Sequence, residues 1–221
     1  MSQIAEYTLG KLIDETRGSF VYRASRGDSG GDLGKTVVIK IPKTKNPTPA
    51  ELARFLQEYE LIKKIQIDGV LKVLEIVPHE NGYALILEDF AGTSLKRIAD
   101  SRTISLNIFL QIALKISSAL GSLHQEKIVH LDIKPHNILM NWETGVVKIT
   151  DFGIAAVLTH ANEEIYNHEV MEGTLPYISP EQTGRMNRSV DYRTDLYSLG
   201  VTFYELLTGK LPFISNDPME I

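Results

Sequence analysis

The 221-residue chain contains no cysteine, which excludes a disulfide framework and a thiolate zinc site. It also lacks an excess of positive charge. With 23 basic against 28 acidic side chains, the formal net charge is −5, the wrong sign for neutralising phosphates along a duplex, so no nucleic-acid partner is expected. The start, Met1-Ser2-Gln3-Ile4-Ala5-Glu6, has neither the basic nor the apolar region of a signal peptide, and a cytoplasmic location is the expectation. Long hydrophobic runs are missing as well. The most apolar stretches, Ile108 to Leu123 and Leu196 to Leu207, are broken by Gln111, Lys115 and Glu205 and fall short of the ~20 residues a bilayer needs, so no membrane span is expected. There is no internal repeat or low-complexity tract. What is present is a globular balance, 43% hydrophobic and 23% charged, in a chain long enough for about one and a half domains.

Up to Glu88, short β-type runs alternate with one helix. The runs are Tyr7 to Ile13, Phe20 to Ser25, Thr36 to Ile41, Leu71 to Val77 and Tyr83 to Glu88, which predict a small antiparallel sheet. The last two are joined through Glu80-Asn81-Gly82, where Asn-Gly would supply the positive φ angles of a tight hairpin. Thr48-Pro49-Ala50-Glu51 reads as a helix start, with Thr48 as N-cap, Pro49 at the first helical position and Glu51 closing a capping box. That helix is expected over 49–65. From Leu106 onward, Phe109, Ile112, Ala113, Ile116, Ala119, Leu120 and Leu123 recur every three or four residues, the signature of one buried face of a long helix. The expected fold is therefore α+β and two-lobed. Residues 1–88 form a sheet with one helix, 89–93 a hinge too short to be a flexible linker, and 94–221 a mostly helical part, with a cleft between the halves.

The densest polar constellation is His130-Leu131-Asp132-Ile133-Lys134-Pro135-His136-Asn137, followed by Asp151-Phe152-Gly153 after the run Val146 to Ile149. Either cluster alone could simply cap turns. Together they offer carboxylate and amide oxygens, the hard ligands magnesium prefers beside substrate phosphates, which points to phosphoryl transfer.

These residues also match a family. The chain resembles the eukaryotic-type protein kinases, with His130-Leu131-Asp132 and Asn137 as catalytic loop and Asp151-Phe152-Gly153 as metal loop. Val37-Val38-Ile39-Lys40 resembles the third-strand lysine motif, and Glu58 its ion-pair partner. Glu60 is the rival, but lies about 200° round the helix from Glu58. Ser179-Pro180-Glu181 is similar to Ala-Pro-Glu, Gly173-Thr174-Leu175-Pro176-Tyr177 to the substrate-docking segment, and Asp195-Leu196-Tyr197-Ser198-Leu199-Gly200 to the buried helix that anchors the catalytic loop. More narrowly, the run from Ser179 to Phe213 resembles the kinase module heading cyanobacterial hybrid signalling proteins, in which sensor and histidine-kinase modules follow.

The resemblance implies a serine/threonine protein kinase using ATP and Mg²⁺ on a protein substrate. By it, Lys40 would hold the α- and β-phosphates, Glu58 would hold Lys40, and Glu88 and Phe90 at the hinge would lie at the nucleotide. Asn137 and Asp151 would hold Mg²⁺, Lys134 would offset charge on the γ-phosphate, and Asp132 would receive the substrate hydroxyl proton. Lys134 and Thr174 stand where the family favours serine or threonine over tyrosine. Fused or associated sensor or histidine-kinase modules are the expected partners. His130 and Phe152 are read as packing, and His79, His124, His136, His160 and His168 as loop or surface residues.

The pattern is broken in places. In the family, a glycine-rich loop lets backbone N–H groups approach the phosphates. Here its three glycine positions hold Asp14, Thr16 and Ser19, with only Gly18 nearby, so ATP is expected to bind weakly. The cluster Gly27, Gly30, Gly31 and Gly34 reads as a surface turn between strands. Leu131 replaces the catalytic-loop arginine, removing the main charge that would grip a phosphorylated activation loop. Thr159 and Tyr166 are the hydroxyl residues between Gly153 and Gly173. The sequence stops at Ile221, before further helices expected from the family, which implies an incomplete C-terminal lobe with uncovered apolar faces and marginal stability. Two rival readings fit part of the pattern: a pseudokinase acting as a binding module, and a small-molecule phosphotransferase, whose family lacks the Asp-Phe-Gly and Ser-Pro-Glu segments.

Overall fold

A computed structural model describes residues 3–16, 18–26, 36–158, 174–183 and 189–213. The chain divides into two compact units, Met1–Gln66 with Leu71–Ala91, and Ile67–Val70 with Gly92–Ile221.

The first unit is a six-stranded antiparallel sheet carrying one helix. Its strands are β1 (Gln3–Ile4), β2 (Tyr7–Glu15), β3 (Ser19–Arg26), β4 (Thr36–Pro42), β5 (Val73–His79) and β6 (Gly82–Glu88), in the order β1-β2-β3-β4-β6-β5. Strict alternation decides the faces. In β4, Val37, Ile39 and Ile41 are buried while Val38 and Lys40 are only half so, and the buried set joins Ile4, Tyr7, Ala24, Val77, Ala84 and Ile86 in one apolar cluster. Fully burying a side chain such as Ile39 contributes about 1.5–3 kcal/mol. The Tyr7 hydroxyl donates to Glu75, which ties β2 to the edge strand β5 and curls the sheet.

Helix α1 (Pro49–Lys64) starts as its sequence dictates. The Thr48 hydroxyl accepts from the Glu51 N–H at 3.3 Å, and the Glu51 carboxylate accepts from the Thr48 N–H at 2.7 Å, so two orphan donors are satisfied reciprocally. The hairpin between β5 and β6 departs from expectation. His79 pairs with Gly82 across a two-residue turn, and the positive φ falls on Glu80, at 49°, rather than on Asn81-Gly82. Gly82 is instead a strand residue whose missing side chain makes room for a neighbour, because a Cβ there would stand 3.3 Å from Pro47.

The second unit holds β7 (Thr93–Ser94), α2 (Leu95–Ser101), α3 (Leu106–Gln125), β8 (Ile128–Val129), β9 (Ile138–Met140), β10 (Val147–Ile149), β11 (Ala156–Val157) and α4 (Arg193–Thr208). β9 pairs with β10 and β7, and β8 with β11, all antiparallel. Helix α3 buries Phe109, Ile112, Ile116, Ala119, Leu120 and Leu123, with Ala113 half-buried, and meets β10, β8 and α4. At 20 residues it is longer than the apolar run read from the sequence, and by length and composition alone it would suffice to cross a bilayer. Its buried face nonetheless packs within the unit. Leu106, Leu110 and Leu114 on α3, and Leu196 and Leu207 on α4, are exposed. Residues 67–70 group with this unit because the Gly69 carbonyl accepts from the Ile149 N–H at 2.7 Å. Glycine is required there: φ is +89°, and a Cβ would approach that of Ala119 to 2.7 Å.

Candidate active site

The segment from His130 to Asn137 is held from beneath by α4. Asp195, fully buried, accepts from the N–H groups of His130 and Leu131 at 2.8 Å each, and its Oδ2 lies 2.9 Å from His124 Nε2. Hydrogen bonds to a charged group contribute about 1.5–3 kcal/mol apiece, enough to offset local strain. That strain is at Leu131, whose φ is +67°, a left-handed conformation that costs of order 1–3 kcal/mol for a non-glycine residue. The Gln182 side-chain amide donates to the Leu131 carbonyl at 3.2 Å, a second brace. Leu131 itself is buried. The His130 ring sits edge-on to Phe152 with centroids 4.7 Å apart, so both residues pack as expected. His124 does not fit the loop-or-surface expectation. It lies in the last turn of α3, half-buried against Asp195, a partner 71 residues away in sequence.

This braced turn presents Asp132. Its Oδ2 accepts from Lys134 Nζ at 2.5 Å and from Asn137 Nδ2 at 2.8 Å, and its Oδ1 accepts from the Thr174 hydroxyl at 2.9 Å. Lys134 Nζ also donates to Thr174 Oγ1 at 2.6 Å, so that hydroxyl accepts once and donates once, as its chemistry allows. The carboxylate of Asp132 is 13% exposed, fixed in direction yet open at its edge. Such a group can orient a hydroxyl and take its proton.

Asn137 closes a 3₁₀ turn over Pro135–Asn137. Its amide nitrogen is committed to the Asp132 carboxylate and, at 2.9 Å, to the Asp132 carbonyl, which turns the amide oxygen away as a hard donor. The Thr150 N–H donates to the Asn137 carbonyl at 2.9 Å, tying the backbone just before Asp151 to that of Asn137. Asp151 has φ +70°, another left-handed non-glycine residue beside the same turn. Among the described residues no group of three or more His, Asp or Glu could hold a metal. Magnesium needs only one or two protein oxygens with phosphates and water, so Asn137 and Asp151 suit it.

In the first unit, Lys40 Nζ donates to Glu58 at 2.7 Å, with the two side chains 12% and 6% exposed. Glu60 is exposed, so the neighbouring carboxylate is not the partner. The Glu88 carboxylate accepts from the Lys72 N–H at 2.7 Å, and Phe90 is half-buried just after it. Between β2 and β3 the turn closes on itself. The Thr16 N–H donates to the Ser19 carbonyl at 2.9 Å, and the Ser19 N–H to the Thr16 hydroxyl at 3.0 Å. Asp14 accepts from the Glu15 N–H at 2.9 Å. Gly27, Gly30, Gly31, Gly34, Thr159, His160, Tyr166, His168 and Gly173 lie outside the described residues.

The sequence reading gave Thr174 a part in specificity but missed that it bonds Asp132 directly. It also missed Tyr177, whose hydroxyl donates to Glu205 of α4, with Lys96 of α2 on the other carboxylate oxygen at 3.2 Å. Burial and then the Glu205 carboxylate push the Tyr177 phenol far up. The signal available was a glutamate inside the apolar run of α4, which demands a buried partner. The Glu181 carboxylate accepts from the Thr194 hydroxyl at 3.0 Å.

The protein kinase domain family matches residues 8–221. A probable serine/threonine-protein kinase of Clostridium perfringens is 35% identical over 217 residues, covering 97% of this chain and 30% of its own. The probable serine/threonine-protein kinase PknB of Bifidobacterium longum is 34% identical over 226 residues, 97% of this chain and 32% of its own. The serine/threonine-protein kinase PrkC of Bacillus subtilis is 32% identical over 196 residues, 86% of this chain and 29% of its own. The chain thus spans about 30% of the length of these relatives.

Proposed function

Since the chain belongs to the protein kinase domain family, we propose that it is a serine/threonine kinase catalytic domain that moves the γ-phosphoryl of ATP onto a protein hydroxyl. The observation that carries this reading is the convergence of Lys134, Asn137 and Thr174 on the single carboxylate of Asp132. Asp132 orients the acceptor hydroxyl and receives its proton. Lys134, already bonded to that carboxylate, offsets negative charge on the transferred group. Asn137 and Asp151 hold magnesium, which when bound with ATP neutralises phosphate charge. Lys40, set by Glu58, holds the α- and β-phosphates, and Glu88 and Phe90 flank the base through their backbone, since the Glu88 carboxylate is committed to Lys72. Catalysis of this class is mostly positioning and charge neutralisation.

The reading is tested by incubating the chain with Mg·ATP and an acceptor protein and identifying the phosphorylated amino acids. Phosphoserine and phosphothreonine, lost in Asp151→Ala, are expected. Phosphotyrosine alone, or transfer that survives Asp151→Ala, would contradict it.

A second reading, the pseudokinase, is favoured by the turn at Thr16 to Ser19, where the N–H groups of Thr16 and Ser19 are spent within the turn. It predicts a folded chain with no transfer at saturating ATP. We also propose, from the likeness of residues 179–213 to cyanobacterial hybrid signalling kinases, that the chain works with sensor and histidine-kinase modules in the cytoplasm. Reading the genomic DNA beyond the codon for Ile221 tests that association.

A further inference from the structure

The sheet of the first unit has one face in its apolar core and another that carries Lys40. In register with β4, β3 sets Val21 beside Lys40 and Arg23 beside Val38, and β6 sets Leu85 beside Lys40 and Leu87 beside Val38. One cation therefore stands at each end of a short apolar strip on this face, with Val21 and Val38 half-buried between them. The two cations are used differently. Lys40 meets a glutamate of α1, whereas Arg23 reaches over β4 to the residue that follows β6. Its Nε donates to Asp89 Oδ2 at 2.6 Å and its Nη2 to Oδ1 at 3.2 Å, a bidentate pair.

Asp89 is more than a surface partner. Its side chain is 6% exposed, and its Oδ1 also accepts from the Ala91 N–H at 2.9 Å. The Thr36 hydroxyl, at the start of β4, is a further donor. Burial pushes the carboxyl up, but the hydrogen bonds from Arg23 and Ala91 and the Arg23 charge outweigh it and keep Asp89 below its ordinary value, hence ionised. Ala91 is left-handed, at φ +56°, a conformation an alanine holds only when surrounding bonds impose it. One buried carboxylate thus fixes the backbone from Glu88 to Ala91 onto the sheet, at the end of the strip opposite Lys40.

We propose that Arg23 and Asp89 are positioning residues for the nucleotide: their ion pair clamps the connector after β6 so that its backbone at Glu88 and Phe90 stands ready for a purine base. This rests on reading the Lys40 face as the nucleotide face. The pair touches no phosphate and acts on affinity for ATP rather than on the transfer step. Lysine cannot reproduce the fork of Arg23, so Arg23→Lys is expected to behave nearly as Arg23→Ala does.

The test is direct binding of Mg·ATP to the whole chain by calorimetry, with thermal melts alongside. Arg23→Ala and Asp89→Ala are expected to weaken binding by about tenfold, the scale of one charge-assisted hydrogen bond. In the transfer assay the KM for ATP rises in parallel, while kcat and the KM for the protein acceptor stay within about twofold, a split that loss of general stability would not give. The swap Arg23→Asp with Asp89→Arg is expected to recover part of the affinity, and Arg23→Lys serves should the alanine variants fail to fold. Folded variants that bind ATP as tightly as the wild type, or in which kcat and both KM values fall together, would overturn the clamp while leaving the kinase reading intact. A wild-type chain that binds no ATP would overturn the nucleotide reading itself, and the clamp with it.

Discussion

Two turns of this chain handle their backbone donors in opposite ways. In the segment 130–137, N–H groups and side chains are organised by a buried partner, Asp195, and the result points outward as the Asp132 cluster. In the turn at Thr16 to Ser19, the N–H groups of Thr16 and Ser19 are satisfied by the turn's own oxygens. A donor already paired has little to offer a ligand, since a new bond must first break an old one. On the proposed function, the second unit presents an ordered carboxylate at Asp132, while two N–H groups of the β2–β3 turn are already engaged within the turn. The proposal therefore rests nucleotide affinity on Lys40 and the connector rather than on this turn.

The largest expected effect comes from removing the outward group. Asp132→Asn keeps the size and most hydrogen bonds of the side chain but cannot take a proton, and should slow transfer by ~10²- to 10⁴-fold, about 3–5 kcal/mol on the barrier. A melt within a few degrees of wild type would show that the loss is chemical. Next is the brace. Asp195→Ala would leave two buried N–H groups without their acceptor and Leu131 strained, and should cost about 3–5 kcal/mol of stability, read by denaturant unfolding. An unchanged midpoint would mean that Asp195 does not organise the loop.

Thr16→Gly with Ser19→Gly removes the hydroxyl that captures the Ser19 N–H and should tighten Mg·ATP binding by about three- to tenfold, the scale of one freed donor. No gain would mean that the turn does not face a nucleotide. The smallest effect lies at the start of α1, where Thr48→Ala should lower the melting temperature by about 2 to 4 °C, as one lost N-cap does in a chain of this length. The same cap gives a pH dependence. The Thr48 N–H, and then its hydroxyl, hold the Glu51 carboxyl below its ordinary value. Its contribution is therefore fully present above the unfolded carboxylate range and is lost as the pH falls through the folded value. Melts of wild type and Thr48→Ala should converge on acidification.

What the sequence made legible was set by neighbours along the chain. Thr48, Pro49 and Glu51 are within four residues of one another, and their capping box forms as read. The period of α3 was equally plain, because one face of a helix repeats whatever lies against it. The Asn81-Gly82 turn was misread because local chemistry lost to packing. Gly82 sits close to Pro47 and Leu52 as a strand residue, and the two-residue turn falls one position earlier, with Glu80 taking the positive φ. His124 and Tyr177 were illegible for the same kind of reason. Their partners, Asp195 and Glu205, lie 71 and 28 residues on, and no spacing rule links a helix end or a docking segment to a later helix. Lys40, Asp132, Lys134, Asn137 and Asp151 were proposed from motifs, whereas the direct bond from Thr174 to Asp132 needed coordinates.

The most direct measurement is the rate of transfer of labelled γ-phosphoryl from ATP to an acceptor protein, taken side by side for the wild-type chain and a folded Asp132→Asn variant. The expected result is incorporation by the wild type and a drop of at least ~10²-fold in the variant. Equal rates in the two, or a folded wild-type chain that incorporates nothing at saturating Mg·ATP, would contradict the assignment of Asp132 as the group that takes the hydroxyl proton.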